Sequence, residues 1–482
     1  MKYLHHKKIS GLFLLITIFL ITSLSPAFAG EELTLESLQK KLASLEKKVE
    51  QQQKEIQTYK ELLDQQIRLN EKQRQEIQKT FQEATGLSSE KVGKILARKK
   101  PGPLTAHPYM PGNFKIGANF TGIVQGSPDA RLIGEDRKSV MGASYQANVT
   151  IANKFEGVDG IAVANLRVSQ GSGIEDQLSI YSNVDNNNWG NDVFTLSEIF
   201  YEQNLFNKNL VVDIGKLDPT VYFALNEYAN SDTTQFLARM FNNSPVIEFP
   251  DHSGGVRIAV FPYKWLEISY MAMAGTADMR DLESRMFHIG QVIFKPSISG
   301  RKGNYRFLMW QNNNPHTVWK DLTRTREDSY GFSISCDQEI NDDVGIFGKF
   351  GWQDPSVYNP DQRAYPFSDS DPNPHKNNYT LEYMWSTGLQ VKGHPWGRAH
   401  DFFGVAIGQV IPSQDMKSAL SGMPDNRREA KSETHFEIYY NFFANKYLAI
   451  SPGVQLIWDP YGGDAGGEGM VSVYTLRTHF DF

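Results

Sequence analysis

The chain has 482 residues and a mass of 54.6 kDa, is 40% hydrophobic and 12% aromatic, and carries a formal charge of −6. A mean hydropathy of −0.44, with no apolar run near twenty residues beyond the first thirty positions, excludes a helical membrane protein. The single cysteine, Cys336, excludes an intrachain disulfide framework and a thiolate zinc cage. The acidic balance gives no support to nucleic-acid binding, which needs a basic face.

The N-terminus reads as an export signal. Lys2, Lys7 and Lys8 form a positive head, Gly11 to Leu24 an apolar stretch too short to span a bilayer, and Ala27-Phe28-Ala29 a small-x-small cleavage site. Residues 1–29 are therefore expected to be a signal peptide. A heptad pattern follows over 31–85, with Leu35, Leu42, Val49, Ile56, Leu63, Asn70 and Ile77 at one seam position and Gln52, Gln66 and Gln73 at the other. This spacing predicts a coiled coil whose polar layers fix register at some cost in stability. A homotrimer joined through it fits the rest of the chain. Residues 86–112, where Arg98-Lys99-Lys100 gives way to Pro101, Pro103, Pro108 and Pro111, read as a linker.

From 113 to 482 the period changes from helical to two. Phe436, Ile438, Tyr440 and Phe442 share one face of a segment whose other face carries His435, Glu437, Tyr439 and Asn441. The last segment sets Tyr474, Leu476, Phe480 and Phe482 against Thr475, Arg477, His479 and Asp481. Sixteen such segments are predicted, near 113–125, 140–153, 160–169, 193–205, 209–216, 254–261, 265–274, 286–295, 304–311, 329–340, 344–352, 379–392, 402–411, 434–443, 447–458 and 470–482. A count of eighteen is the alternative.

The connections alternate in length. Tight ones, such as Phe206-Asn207-Lys208, Pro262-Tyr263-Lys264, Asn341-Asp342-Asp343 and Ala444-Asn445-Lys446, interleave with long polar ones at 170–192, 217–253, 312–328, 353–378 and 412–433. Short turns on one rim and long loops on the other are the layout of an outer-membrane barrel. The expected fold is an all-β transmembrane barrel of about sixteen antiparallel strands, preceded by a helical coiled coil in the periplasm.

Several short runs carry a resemblance. Gly215-Lys216-Leu217-Asp218-Pro219-Thr220-Val221-Tyr222-Phe223, with Asn226, Gln235-Phe236-Leu237 and Asn243-Ser244-Pro245 after it, resembles the OprB-type carbohydrate-selective porins. So do Tyr330-Gly331-Phe332-Ser333-Ile334-Ser335 with Asp337-Gln338-Glu339, Gly345 to Trp352, Glu437-Ile438-Tyr439-Tyr440, and Pro452-Gly453-Val454-Gln455 before Asp459-Pro460. The resemblance implies a sixteen-stranded porin passing sugars and similar small polar solutes by diffusion. The added coiled coil departs from the simplest members.

Selectivity is expected at the longest connection, 217–253, which is too rich in aromatics to be disordered and is predicted to fold inward and narrow the barrel. It offers Asn226, Gln235, Arg239, Asn242 and Asn243 among Tyr222, Phe223, Phe236 and Phe241, and the wall around it offers Arg167, Glu198, Glu202, Lys216, Asp218 and Arg257. Sugar passage needs polar groups that replace hydration and flat rings that meet pyranose faces, with binding weak enough for exit. No catalytic motif of the G-x-S-x-G or H-E-x-x-H type occurs, and neither Asp369-Ser370-Asp371 nor 459–468 has calcium-loop spacing, so no enzyme activity, metal or cofactor is expected.

Two other functions compete with sugar passage. An anion or phosphate porin would want a ladder of arginine and lysine, whereas the basic candidates here are mixed with Glu198, Glu202 and Asp218. An envelope-tethering protein would use the barrel as an anchor in outer-membrane lipid and the coiled coil to contact the cell wall.

Overall fold

The computed structural model describes residues 113–482 apart from 134, 188–192, 280–283, 363–377, 422–429 and 464–468, together with the isolated helical positions Ala43, Lys47, Lys54 and Gln57. The expected signal peptide, coiled coil and linker otherwise lie outside the described residues, as does Asp369-Ser370-Asp371. No described helix is long and apolar enough to cross a membrane.

The strands in chain order are β1 (Phe114–Ala130), β2 (Lys138–Phe155), β3 (Gly160–Gln170), β4 (Val193–Leu205), β5 (Leu210–Leu217), β6 (Ser253–Tyr263), β7 (Leu266–Ala274), β8 (Met286–Phe294) and β9 (Ser297–Ile298). They continue with β10 (Arg301–Val318), β11 (Glu327–Glu339), β12 (Val344–Gln353), β13 (Val357–Tyr358), β14 (Leu381–Gly393), β15 (Arg398–Pro412), β16 (Glu433–Phe443), β17 (Leu448–Trp458) and β18 (Met470–Asp481). Of these eighteen, β9 and β13 are two-residue pieces beside β10. The other sixteen pair antiparallel with their neighbours, and β18 closes on β1 with Phe480 opposite Phe120 and Leu476 opposite Val124. The result is a closed sixteen-stranded barrel, so the count of eighteen does not hold.

Closure follows from the surroundings the sequence prepares. In hydrocarbon every backbone N–H and C=O must find a partner within the protein, and only a sheet without edges achieves this with strands. Side-chain alternation then decides which face meets lipid. Glu433, His435, Glu437, Tyr439 and Asn441 of β16 are buried inside, while Phe436, Ile438, Tyr440 and Phe442 point out. Val256, Ile258 and Val260 of β6, and Phe307 and Met309 of β10, stand exposed on the outer face.

Aromatic rings gather at both rims of that face. Tyr263 stacks on Trp265 with centroids 5.2 Å apart near the short turns, and Phe480 on Phe482 at 6.2 Å. Near the long loops, Tyr330 and Trp352 meet at 5.7 Å and Phe350 and Tyr383 at 6.2 Å. These are the two girdles of a membrane-embedded cylinder. On the short-turn rim Phe206, Asn207 and Lys208 have φ of 52°, 56° and 67°, left-handed conformations that let β4 reverse into β5 within a few residues. Cys336 lies half-buried in β11.

Replacing Ile258, outward-facing and 43% exposed midway along β6, by arginine is expected to cost roughly 2–4 kcal/mol of barrel stability in lipid. Urea unfolding in vesicles measures this, and an Ile258→Arg barrel as stable as the parent would mean that the face is not lipid-embedded.

Candidate functional site

Between β5 and β6, residues 218–252 leave the rim and fold into the lumen. Just before this exit stands Gly215, whose φ of 145° suits only glycine and where a Cβ would lie 2.3 Å from the Ile199 carbonyl oxygen. The two ends of the loop are clasped together. Asp218 Oδ2 lies 2.9 Å from His252 Nε2, and His252 Nδ1 lies 3.0 Å from the Ser197 carbonyl oxygen. Asp218 Oδ1 also accepts hydrogen bonds from Thr220 N at 2.8 Å and Thr220 Oγ1 at 2.6 Å, capping the short turn Pro219–Val221. Burial alone would raise the Asp218 carboxyl, but His252 and Thr220 together hold it below the ordinary aspartate range.

A loop inside a barrel buries its own backbone, and those groups need partners as strongly as they would in lipid. The wall supplies them as charged side chains. Lys349 Nζ donates to the carbonyl oxygens of Ala229, Phe241 and Asn242 at 2.9, 2.6 and 3.1 Å. Glu437 accepts from the N–H groups of Leu237 and Ala238 at 2.7 and 2.9 Å, and Arg477 Nη1 donates to the Asp232 carbonyl oxygen at 2.8 Å. From the loop side, Glu248 accepts from Asn312 Nδ2 at 3.0 Å and Gln353 Nε2 at 2.9 Å, and lies 2.7 Å from His316 Nε2. Apolar packing completes the seat: Phe236, Met240, Phe241 and Val246 press on Phe347, Met384 and Tyr439 of the wall.

A second loop segment, 171–187, also turns inward, which the sequence alone did not indicate. Its Val184 carbonyl oxygen accepts from Gln125 Nε2 at 3.1 Å and Gln455 Nε2 at 2.8 Å, and Ser144 Oγ donates to Asp185 at 2.9 Å. Glu433 accepts from the N–H groups of Tyr181 and Ser182 at 2.8 and 3.0 Å. The two loops join where Asn186 N donates to the Leu237 carbonyl oxygen at 2.9 Å and Arg239 N donates to Asn183 Oδ1 at 2.8 Å.

These seats leave one sector of the wall open. Inward residues of β7, β11 and β16 are buried, whereas Asn148, Thr150, Asn165 and Arg167 on β2 and β3 remain half-exposed. They form a polar strip in which Arg167 Nε donates to Asn148 Oδ1 at 3.2 Å and Asn148 Nδ2 to Asn119 Oδ1 at 2.9 Å.

The expected site residues separate accordingly. Arg167 faces the lumen on this strip, and Glu202 is half-exposed on the inner face of β4, accepting from Asn204 Nδ2 at 3.1 Å. Glu198 is buried at the loop neck, accepting from Asp218 N at 3.3 Å. Asn226 is buried and pins the loop to β11, donating to Ser335 Oγ and the Cys336 carbonyl oxygen at 3.2 Å each. Gln235 is used within the loop, accepting from Asn230 N and Ser231 N at 2.7 and 2.9 Å, and Asn243 Oδ1 accepts from Ser244 N at 2.9 Å. Arg257 is buried on Asp213 at 2.7 Å and beneath the Tyr222 ring at 4.5 Å.

Lys216 is a correction. It lies opposite Ile199, on the outward face of β5, and its Nζ donates to the Leu196 carbonyl oxygen at 2.8 Å. Strand parity thus takes it out of the lumen and places it at the loop-side rim.

Arg239 is the opposite case. Its guanidinium is half-buried in the inward loop and has no hydrogen-bond or ion-pair partner among the described residues, with Tyr379 and Glu248 the charges that act on it. Burial lowers its pKa while those two groups act to raise it. The residues that sequence reasoning did not place at the site, Lys349, Glu248 and His252, carried one available signal: charged or polar groups with inward parity or at a loop end. Among the described residues no cluster of three or more potential metal ligands occurs.

A family model described as carbohydrate-selective porin, OprB family, matches residues 142–482. Among solved structures, the high-pH form of Pseudomonas putida OprB is similar over 77% of this chain and 94% of its own, at 14% identity and a TM-score of 0.62. Its low-pH form is similar at 13% identity and a TM-score of 0.47, covering 77% and 93%. The outer-membrane channel DcaP of Acinetobacter baumannii is similar at 10% identity and a TM-score of 0.47, covering 77% and 97%. No curated protein sequence matches.

The second loop gives a pH prediction. Burial first, and then the neighbouring Asp185 charge, push the Glu175 carboxyl up to about 8, and burial pushes Asp185 up to about 6. A carboxyl raised in the packed state penalises packing when ionised, so the penalty is present above the raised value and vanishes as pH falls below the ordinary carboxylate range. Segment 171–187 is therefore expected to be cut faster by a broad-specificity protease at pH 9 than at pH 5, after correction for protease activity, and equal cutting rates would contradict the assignment.

Proposed function

This chain belongs to the OprB family of carbohydrate-selective porins, and from that premise we propose that sugars and similar small polar solutes diffuse through its lumen along the β2–β4 sector. The observation that carries the reading is the division of labour inside the barrel. Lys349, Glu437 and Arg477 of the wall are consumed in holding the inward loop, while Asn148, Asn165, Arg167 and Glu202 remain half-exposed in one strip. Arg239 adds a half-buried guanidinium from the loop that has no hydrogen-bond or ion-pair partner among the described residues. Hydroxyl-rich solutes find both donors and acceptors there, in a density low enough for release. Asn243 adds a half-buried amide from the same loop.

The family and its barrel imply the outer membrane. With an even strand number both barrel ends lie on the short-turn rim, so the N-terminal segment 31–85 is proposed to hang in the periplasm as a coiled coil, where it would join three copies or contact the cell wall. An anion or phosphate porin fits less well. Arg257 and Arg306 are paired with Asp213 and Asp337, Lys349 is occupied by loop carbonyls, and Arg167 and Arg239, the half-exposed arginines of the site, make no ladder.

Single-channel recordings in planar bilayers test the proposal. The channel is expected to show cation preference or little preference and to be interrupted by oligosaccharides. Arg239→Ala is expected to weaken sugar block roughly five-fold, the scale of about 1 kcal/mol for one hydrogen bond. A strongly anion-selective current untouched by sugar would overturn the reading.

A further inference from the structure

All five inward residues of β12, at every second position from Gly345 to Gln353, are committed to the inward loop. Phe347 meets the Phe236 ring at 5.7 Å between centroids, Lys349 caps three loop carbonyls, and Gln353 Nε2 donates to Glu248 Oε1 at 2.9 Å. The other two positions are glycines, and each has a loop side chain directly over it. A Cβ on Gly345 would fall within the Tyr228 ring, and one on Gly351 would lie 2.5 Å from Val246 Cγ2. This strand is thus a rail on which the loop is mounted from Tyr228 to Glu248.

Backbone conformation does not account for these two glycines. Neither has a positive φ, and glycine weakens a strand interior, having no side chain to pack and more freedom to lose. What it does allow is a close approach by another part of the chain. Gly348 of the same strand gives the contrast: it faces outward between Phe347 and Lys349, and a Cβ there would meet nothing within 4 Å. The second inward segment repeats the device, since a Cβ on the inward-facing Gly142 of β2 would run into the Gly173 carbonyl oxygen.

We propose that Gly345 and Gly351 set the height at which the inward loop lies on the wall, and so the width of the passage left beside β2–β4. Apolar atoms settle about 3.5–4.0 Å apart, so a methyl on Gly351 moves the Val246 side chain by about 1 Å toward the lumen. Val246 is fully buried and its short branched side chain is stiff, so the loop backbone has to move with it. Tyr228 is half-buried and can swing its ring, which makes Gly345 the softer of the two contacts. Gly345 and Gly351 are positioning residues: they meet the loop and not the solute. The inference rests on the reading that the lumen conducts and goes beyond it by naming the positions that fix its width.

Single-channel recordings of the full chain in potassium chloride test it, with heat-modifiable gel migration as the check on folding. Gly351→Ala is expected to lower the conductance and to exclude neutral polyethylene glycols that enter the parent, Gly345→Ala to do so to a smaller extent, and Gly348→Ala to match the parent. Trimming the obstructed side chain in Gly351→Ala/Val246→Ala is expected to restore most of the lost conductance. Parent conductance in a folded Gly351→Ala, or an equal loss in Gly348→Ala, overturns the proposal. Should Gly351→Ala fail to fold, Gly345→Ala against Gly348→Ala decides, and equal conductances overturn it. A parent that passes no current overturns the channel reading and this inference with it, whereas a conducting parent with unresponsive variants overturns this inference alone.

Discussion

The structure depends on one constraint: a peptide group removed from water must be paired. It acts first on the outside, where hydrocarbon offers no partner and the sheet has to close on itself from β18 to β1. It acts again on the inside, because a long loop folded into a narrow lumen is almost as desolvated as a strand in lipid. Two paired surfaces, one cylindrical and one improvised, result from the same requirement. The cylinder uses backbone alone, and the loop borrows charged side chains from the wall.

That borrowing explains how a protein with 22% charged residues can be a membrane barrel at all. Outward charges near the midplane are expensive, so ionic groups accumulate on the inner face. Left unpaired there they would make a strongly biased pore. Instead, Lys349 caps three carbonyls, Glu437 binds two amides, and Arg257 and Arg306 sit against Asp213 and Asp337. Charge-assisted hydrogen bonds of this kind are strong enough to replace a regular ladder. They also remove each participating group from the set a passing solute can engage.

How far this was legible in the sequence follows from the range of the interactions involved. Strands are local: the period-two pattern gives β4 with the same bounds as the structure, 193–205, and each of the sixteen wall strands has a predicted counterpart. The ends drift where alternation is broken, as in β10, which runs on to Val318 through a register shift after Asn312. The inward turn of 217–253 was readable because exposed loops do not carry so many rings. The inward turn of 171–187 was not, since it rests on pairings such as Glu433 with Tyr181 that join residues 252 positions apart. Lys216 shows a subtler limit. It lies two residues before Asp218, but β5 ends at Leu217, so Asp218 turns inward with the loop while Lys216 keeps the outward face of the strand.

The same distinction separates holding from selecting. Asn226 and Gln235 looked like sugar ligands because amides bind hydroxyls, yet their oxygens and nitrogens are already matched by the loop and by β11. A solute could recruit them only by breaking those bonds, and at the buried Asn226 that leaves buried polar groups unpaired, a cost that weak, fast passage cannot meet. Groups that keep hydrogen-bonding capacity facing water, on the β2–β3 strip and at Arg239, carry no such cost. On the proposed reading, selectivity belongs to what the loop's architecture leaves unused, and changing a holding residue would act by moving the loop rather than by changing what the solute touches.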